Sequence, residues 1–75
     1  MEYVVVFYAK KRDVYIDGQC AGKTGDTLMV ETGTHFFDLG ARQDYVPGQV
    51  ARAVKDTTTN DPMLIEDFHT ADSII

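Results

Sequence analysis

Between residues 14 and 39 the chain reads VYIDGQCAGKTGDTLMVETGTHFFDL, short apolar alternations broken by Asp17-Gly18, Gly22, Gly25-Asp26 and Gly33. A strand with one buried face alternates apolar and polar side chains, whereas a helix repeats about every 3.6 residues. Glycine, and aspartate less readily, supply the positive φ angles that tight hairpin turns require. The stretches between these breaks are too short for helices and suit strands. The pattern predicts a compact antiparallel β unit, and it carries little chemistry of its own.

Seventy-five residues make one domain, near the size at which a single core just suffices. With 44% hydrophobic residues, four tyrosines and four phenylalanines, the chain has material for that core and does not read as disordered. Cys20 is the sole cysteine, so no intrachain disulfide forms, which fits a reducing compartment. A formal charge of −5 opposes phosphate backbones and anionic lipid, so nucleic acid and membrane are not expected partners. The apolar run at 3–9 follows Glu2 rather than a basic region, is short for a signal core and lacks a cleavage site. No stretch approaches the ~20 apolar residues of a membrane span. The expected location is the cytoplasm.

The strand at 2–8 is apolar on both faces, with Tyr3, Val5 and Phe7 on one and Val4, Val6 and Tyr8 on the other. Such a strand lies between two layers or is covered on its second face by another chain. Lys10, Lys11 and Arg12 read as a solvated turn. Strands follow at 13–17, 19–22, 27–31 with Leu28 and Val30 inward, and 34–40 with Phe37 and Leu39 inward. Residues 41–48 form a connection. The stretch at 49–55 also suits a helical face, but flanking Pro47-Gly48 and recurring β-branched residues favour a strand. A last strand spans 63–68, giving one domain at 1–69 and a frayed tail at 70–75. The expected class is all-β, a small antiparallel β-sandwich of about six to seven short strands. Alternation alone does not separate two packed sheets from a small closed barrel.

Val14-x-Ile16-Asp17-Gly18, Gly22-x-Thr24, Leu28-x-Val30, Gly33-x-His35, Leu39 and Tyr45-x-Pro47 together resemble the PEGA domain. The resemblance covers 14–47 and, more loosely, the last two strands. It implies a small β-sandwich module without catalytic activity, of a kind usually attached to other domains of bacterial and archaeal envelope or surface proteins. Two turn positions depart from the family pattern, Gly25 in place of proline and Asp44 in place of glycine.

Catalytic and ligand sets are sparse. Residues 18–24, GQCAGKT, superficially resemble a phosphate-binding loop. The spacing between the glycines is one residue short, and Gly25-Asp26-Thr27 opens no helix to hold an anion. His35 and His69 with Asp38 and Asp67 offer imidazole and carboxylate, but not in an established metal spacing, so packed and hydrogen-bonded roles are expected. Asp13, Asp17 and Asp26 read as turn residues. Ser73 is the only serine, and Cys20 lacks a locally paired histidine and reads as a partly buried, inert thiol. No enzyme, cofactor or metal site is expected.

The aromatics carry the functional expectation. Tyr3, Tyr8, Tyr15, Phe36 and Tyr45 form the candidate interaction surface, with their use as core in both sheets the competing reading. The expected role is protein–protein contact, self-association being its simplest form. The alternative is a carbohydrate-binding module stacking a sugar on Tyr15, Tyr45 or Phe36.

Overall fold

The computed structural model describes residues 1–42 and 44–71. Nine short strands run through them: β1 (Glu2–Val6), β2 (Asp13–Ile16), β3 (Gln19–Lys23), β4 (Thr27–Val30), β5 (Gly33–Asp38), β6 (Tyr45–Val46), β7 (Val50–Val54), β8 (Met63–Ile65) and β9 (His69–Thr70). They form a three-stranded sheet ordered β4-β1-β8, a four-stranded sheet ordered β3-β2-β5-β7, and a β6-β9 ribbon.

Both larger sheets turn one face onto a common core. The first contributes Val4, Val6, Leu28, Val30 and Ile65, and the second Val14, Ile16, Phe37, Val50 and Val54. Leu39, Tyr45 and Phe68 complete the cluster. Two sheets meeting through alternate residues of each strand make a sandwich, the all-β class expected from the alternation. The stretch at 50–54 is a strand, with Val50 and Val54 buried and Ala51 and Ala53 exposed.

The hairpin between β2 and β3 forms at Asp17-Gly18, both at positive φ (53° and 83°). Two successive left-handed residues match the twist of the flanking strands. Gly22, at φ 152°, faces Leu28 so closely that an added Cβ would lie 2.6 Å from Leu28 Cδ2. A side chain there would push on the core.

Three details differ from the sequence reading. The sandwich is not wholly antiparallel, because β1 and β8 pair in parallel, Val4 with Met63 and Val6 with Ile65. Parallel neighbours need a long crossover, and the chain between them supplies one by passing through the whole second sheet. The connection at 41–48 contains β6, which pairs antiparallel with β9, Tyr45 opposite Thr70. A two-residue strand has no periodicity to read and exists only through its partner. The proposed boundary at 69/70 accordingly falls early: Thr70 is paired, and Ala71 donates its amide to the Asp44 carbonyl at 3.0 Å. The rest of the expected tail, 72–75, lies outside the described residues.

Lys10, Lys11 and Arg12 do not all point into water as expected. The Arg12 side chain is only 16% exposed and reaches across the chain to 39–44. Its guanidinium pairs with the Asp44 carboxylate and donates to the carbonyls of Leu39 (3.1 Å) and Arg42 (3.0 Å). It also lies over the rings of Tyr45 and Tyr8, 5.5 and 5.9 Å from their centroids. A planar fork satisfies several acceptors at once and stacks on aromatic faces, which a lysine cannot do. The contact with Arg12 holds the Asp44 carboxyl below its ordinary range.

Candidate functional site

The five aromatics of the expected surface do not share one patch. Tyr45 is a correction: it is 2% exposed, inside the core. Its hydroxyl donates to the Gly40 carbonyl (2.7 Å) and accepts the Leu39 amide (3.2 Å), so its polar end is satisfied while the ring is buried. Tyr8 is a second correction. It packs on the core edge-on to Tyr45, and its hydroxyl donates to the Asp44 carbonyl at 3.1 Å. Tyr8 continues the inward alternation of buried Val4 and Val6, so its ring meets the core.

The remaining three aromatics fall on two opposite outer faces. Tyr15 and Phe36 belong to the second sheet. Tyr15 is half-buried against Gly40, where an added Cβ would lie 3.1 Å from the ring. Phe36 is exposed. Their cross-strand neighbours are Cys20, Asp38 and Ala51, small or polar side chains that make no broad apolar area. Cys20 is exposed there rather than partly buried as expected.

Tyr3 stands on the outer face of the first sheet, which differs in kind. Paired residues share a face, and Tyr3 pairs with Met29 while Val5 pairs with Leu64. Phe7 continues the same row, its amide bonded to the Ile65 carbonyl at 2.9 Å. Met29 is 61% exposed, Leu64 53% and Phe7 42%, while Val5 at their centre is buried. The two-sided apolarity of the first strand thus becomes an outward apolar field over β4-β1-β8. Met29 and Leu64 were not picked out from the sequence as surface residues. The signal was present: Met29 takes the polar position between inward Leu28 and Val30, and Leu64 sits in an unbroken apolar run, Met63-Leu64-Ile65.

The polar groups are mostly committed to one another. Lys23 pairs with Asp13 across β2 and β3, and this bond raises the lysine's proton affinity. His35 does not meet Asp38. Its Nδ1 lies 2.6 Å from Oδ2 of Asp17 and its Nε2 lies 2.7 Å from the Glu31 carbonyl. The other oxygen of Asp17 accepts the Phe36 amide at 2.9 Å, so this carboxylate bridges two strands rather than merely capping its own turn. That amide and His35 hold the Asp17 carboxyl below its ordinary range, and Asp17 and the Glu31 carbonyl raise the His35 imidazole above its own. His69 lies in β9, away in sequence and sheet from His35 in β5. Among the described residues no group of three or more histidine, cysteine or acidic side chains gathers to hold a metal.

Two shallow hollows border these groups. One, of ≈ 420 Å³, is lined by Asp17, Gly18, Phe36, Asp38 and Gln49. The other, of ≈ 220 Å³, is lined in part by Asp17, Cys20, Met29 and His35. Among the described residues no helix is long and apolar enough to cross a membrane. In comparisons with known proteins, no family model matches the chain, and neither a curated protein nor a solved structure does.

Proposed function

We propose that this chain is a non-catalytic, PEGA-like β-sandwich module that works in the cytoplasm by protein–protein contact, with self-association as the simplest form. The observation that carries this reading is the outer face of β4-β1-β8, where exposed Met29, Leu64 and Phe7 surround Tyr3 and Val5. Contiguous exposed apolar area rimmed by polar residues marks interaction sites. The spacing of Val14 through Pro47 supports the PEGA-like assignment, and that family has no assigned catalytic activity.

The three strands, five, four and three residues long and about 4.8 Å apart, present roughly 190 Å² of projected face. A stable interface needs about 800 Å² per partner. Self-association through this face alone is therefore weak and reversible. Each copy also carries a formal charge of −5, so screening by salt strengthens it.

Sedimentation velocity over a range of concentration and salt tests the reading. The expected result is a weight-average coefficient that rises with both, and a monomer throughout for Met29→Lys with Leu64→Lys at unchanged circular dichroism. A strict monomer at high concentration and high salt removes self-association.

A small-ligand reading, carbohydrate above all, draws on the hollow that sets the Phe36 ring beside Asp38 and Gln49. Burial of Tyr45 takes away one of its three expected stacking rings. A glycan panel followed by amide chemical shifts separates the two readings: shifts confined to 36–38 and 49, lost in Phe36→Ala, favour the sugar.

A further inference from the structure

His35 sits on β5 with its side chain 15% exposed, and both ring nitrogens face oxygen at hydrogen-bond distance. Neither oxygen can donate. The Glu31 partner is a backbone carbonyl, and the Asp17 partner is a carboxylate whose other oxygen already accepts the Phe36 amide. A neutral imidazole has one N–H and one bare lone pair, so it satisfies only one of two such acceptors and turns a lone pair on the other. The imidazolium donates to both.

We infer that His35 is a doubly protonated clasp between the β2–β3 turn and the end of β4, and that loss of its proton releases one arm as pH rises. Asp17 keeps its bond to Nδ1, because a hydrogen bond to a charged acceptor is stronger than one to a carbonyl. The arm to Glu31 is the one that opens. The change is local: it frees the corner at 31–33 that leads from β4 into β5.

The surroundings hold few competing charges. From the β2–β3 turn comes Asp17, and the Glu31 side chain lies at the end of β4; both favour the protonated ring. From β7, Arg52 stands in register with His35, but its guanidinium is bonded to the Asp67 carboxylate. From β3, Cys20 borders the same hollow. The pKa of His35 is raised above 6.5, so the stabilisation from the clasp is full below 6.5 and is lost as pH climbs through the raised value.

Long-range proton–nitrogen spectra of the ¹⁵N-labelled chain between pH 5 and 9, in a Cys20→Ser background that removes the exposed thiol, test this. At pH 5 both His35 nitrogens are expected at the imidazolium position. One transition is expected with its midpoint above 6.5, shared by the Thr32 and Gly33 amides, while the Phe36 amide moves little. Asp17→Asn is expected to move the midpoint down. Thermal stability should decline on the alkaline side in the parent and stay flat in His35→Gln. A ring mostly neutral at pH 6.5, or a midpoint that leaves Thr32 and Gly33 unmoved, overturns the clasp. The spectra of the parent decide it even if His35→Gln does not fold.

Discussion

Thr57 donates both its backbone amide, at 2.9 Å, and its hydroxyl, at 2.6 Å, to one carboxylate oxygen of Glu2. The other oxygen accepts the Thr32 hydroxyl. Thr57 in turn accepts the Tyr3 amide at 2.7 Å, so a carboxylate at the start of the chain organises two loops. These bonds, the Thr32 hydroxyl foremost and then the Thr57 hydroxyl and amide, lower the Glu2 pKa to about 2. A lowered folded-state pKa gives stabilisation that is present above the ordinary 4.5 and is lost as pH falls towards about 2. Glu2→Ala should lower the melting temperature by several degrees at neutral pH and flatten the acid limb. Glu2→Gln, which keeps an acceptor for Thr57, should lose less. Thermal melts from pH 2 to 7 check both.

Tyr45→Phe keeps the ring and removes the hydroxyl that joins Leu39 and Gly40. The Leu39 amide is then left in a buried site without that acceptor. Leaving a buried polar group unsatisfied costs about 1–3 kcal/mol. For a chain of this size each kcal/mol lowers the melting temperature by about 4–8 °C. Calorimetry should show the loss, with amide exchange accelerated at 39–40 more than at 50–54.

Arg12→Lys retains the charge and loses the fork over Tyr8 and Tyr45. The expected destabilisation is about 1–3 kcal/mol, from the lost charge-assisted bonds to Asp44 and the two carbonyls. Arg12→Lys and Asp44→Asn should couple, their double variant losing less than the sum of the singles. Denaturant titrations of the four proteins give the coupling directly.

Gly22→Ala sets a methyl 2.6 Å from the Leu28 side chain and requires a φ of 152°. The clash drives Leu28 from its packed rotamer or bends β3, and such overpacking costs about 1–3 kcal/mol. Gly18→Ala meets open space but keeps the positive φ, so only the smaller backbone strain remains. Midpoints of chemical unfolding should rank the parent above Gly18→Ala, and that above Gly22→Ala.

What was legible in the sequence tracks how local the cause is. Alternation and glycine breaks place β2, β4 and β5, and flanking Pro47-Gly48 with β-branched residues places β7, because patterning and turn chemistry act over a few residues. The Asp17-Gly18 hairpin is legible for the same reason. Arg12 was misread as a solvated charge because its partner, Asp44, lies 32 residues away and no local pattern links them. Tyr45 was misread as surface because alternation cannot show a core position in a two-residue strand. The outward apolar face was half legible. The first strand declared two apolar sides, while only the register places Met29 and Leu64 beside them.

The central place of β1, between β4 and β8, has a consequence for biogenesis. A ribosome releases 2–6 well before 63–65, yet 2–6 gains its second neighbour only when 63–65 has emerged. Folding is therefore governed by pairing between distant segments and is expected to be slow for a domain of this size. A nascent chain stalled near residue 60 would display its greasiest strand with one flank open, the state in which holdase chaperones have most to grip.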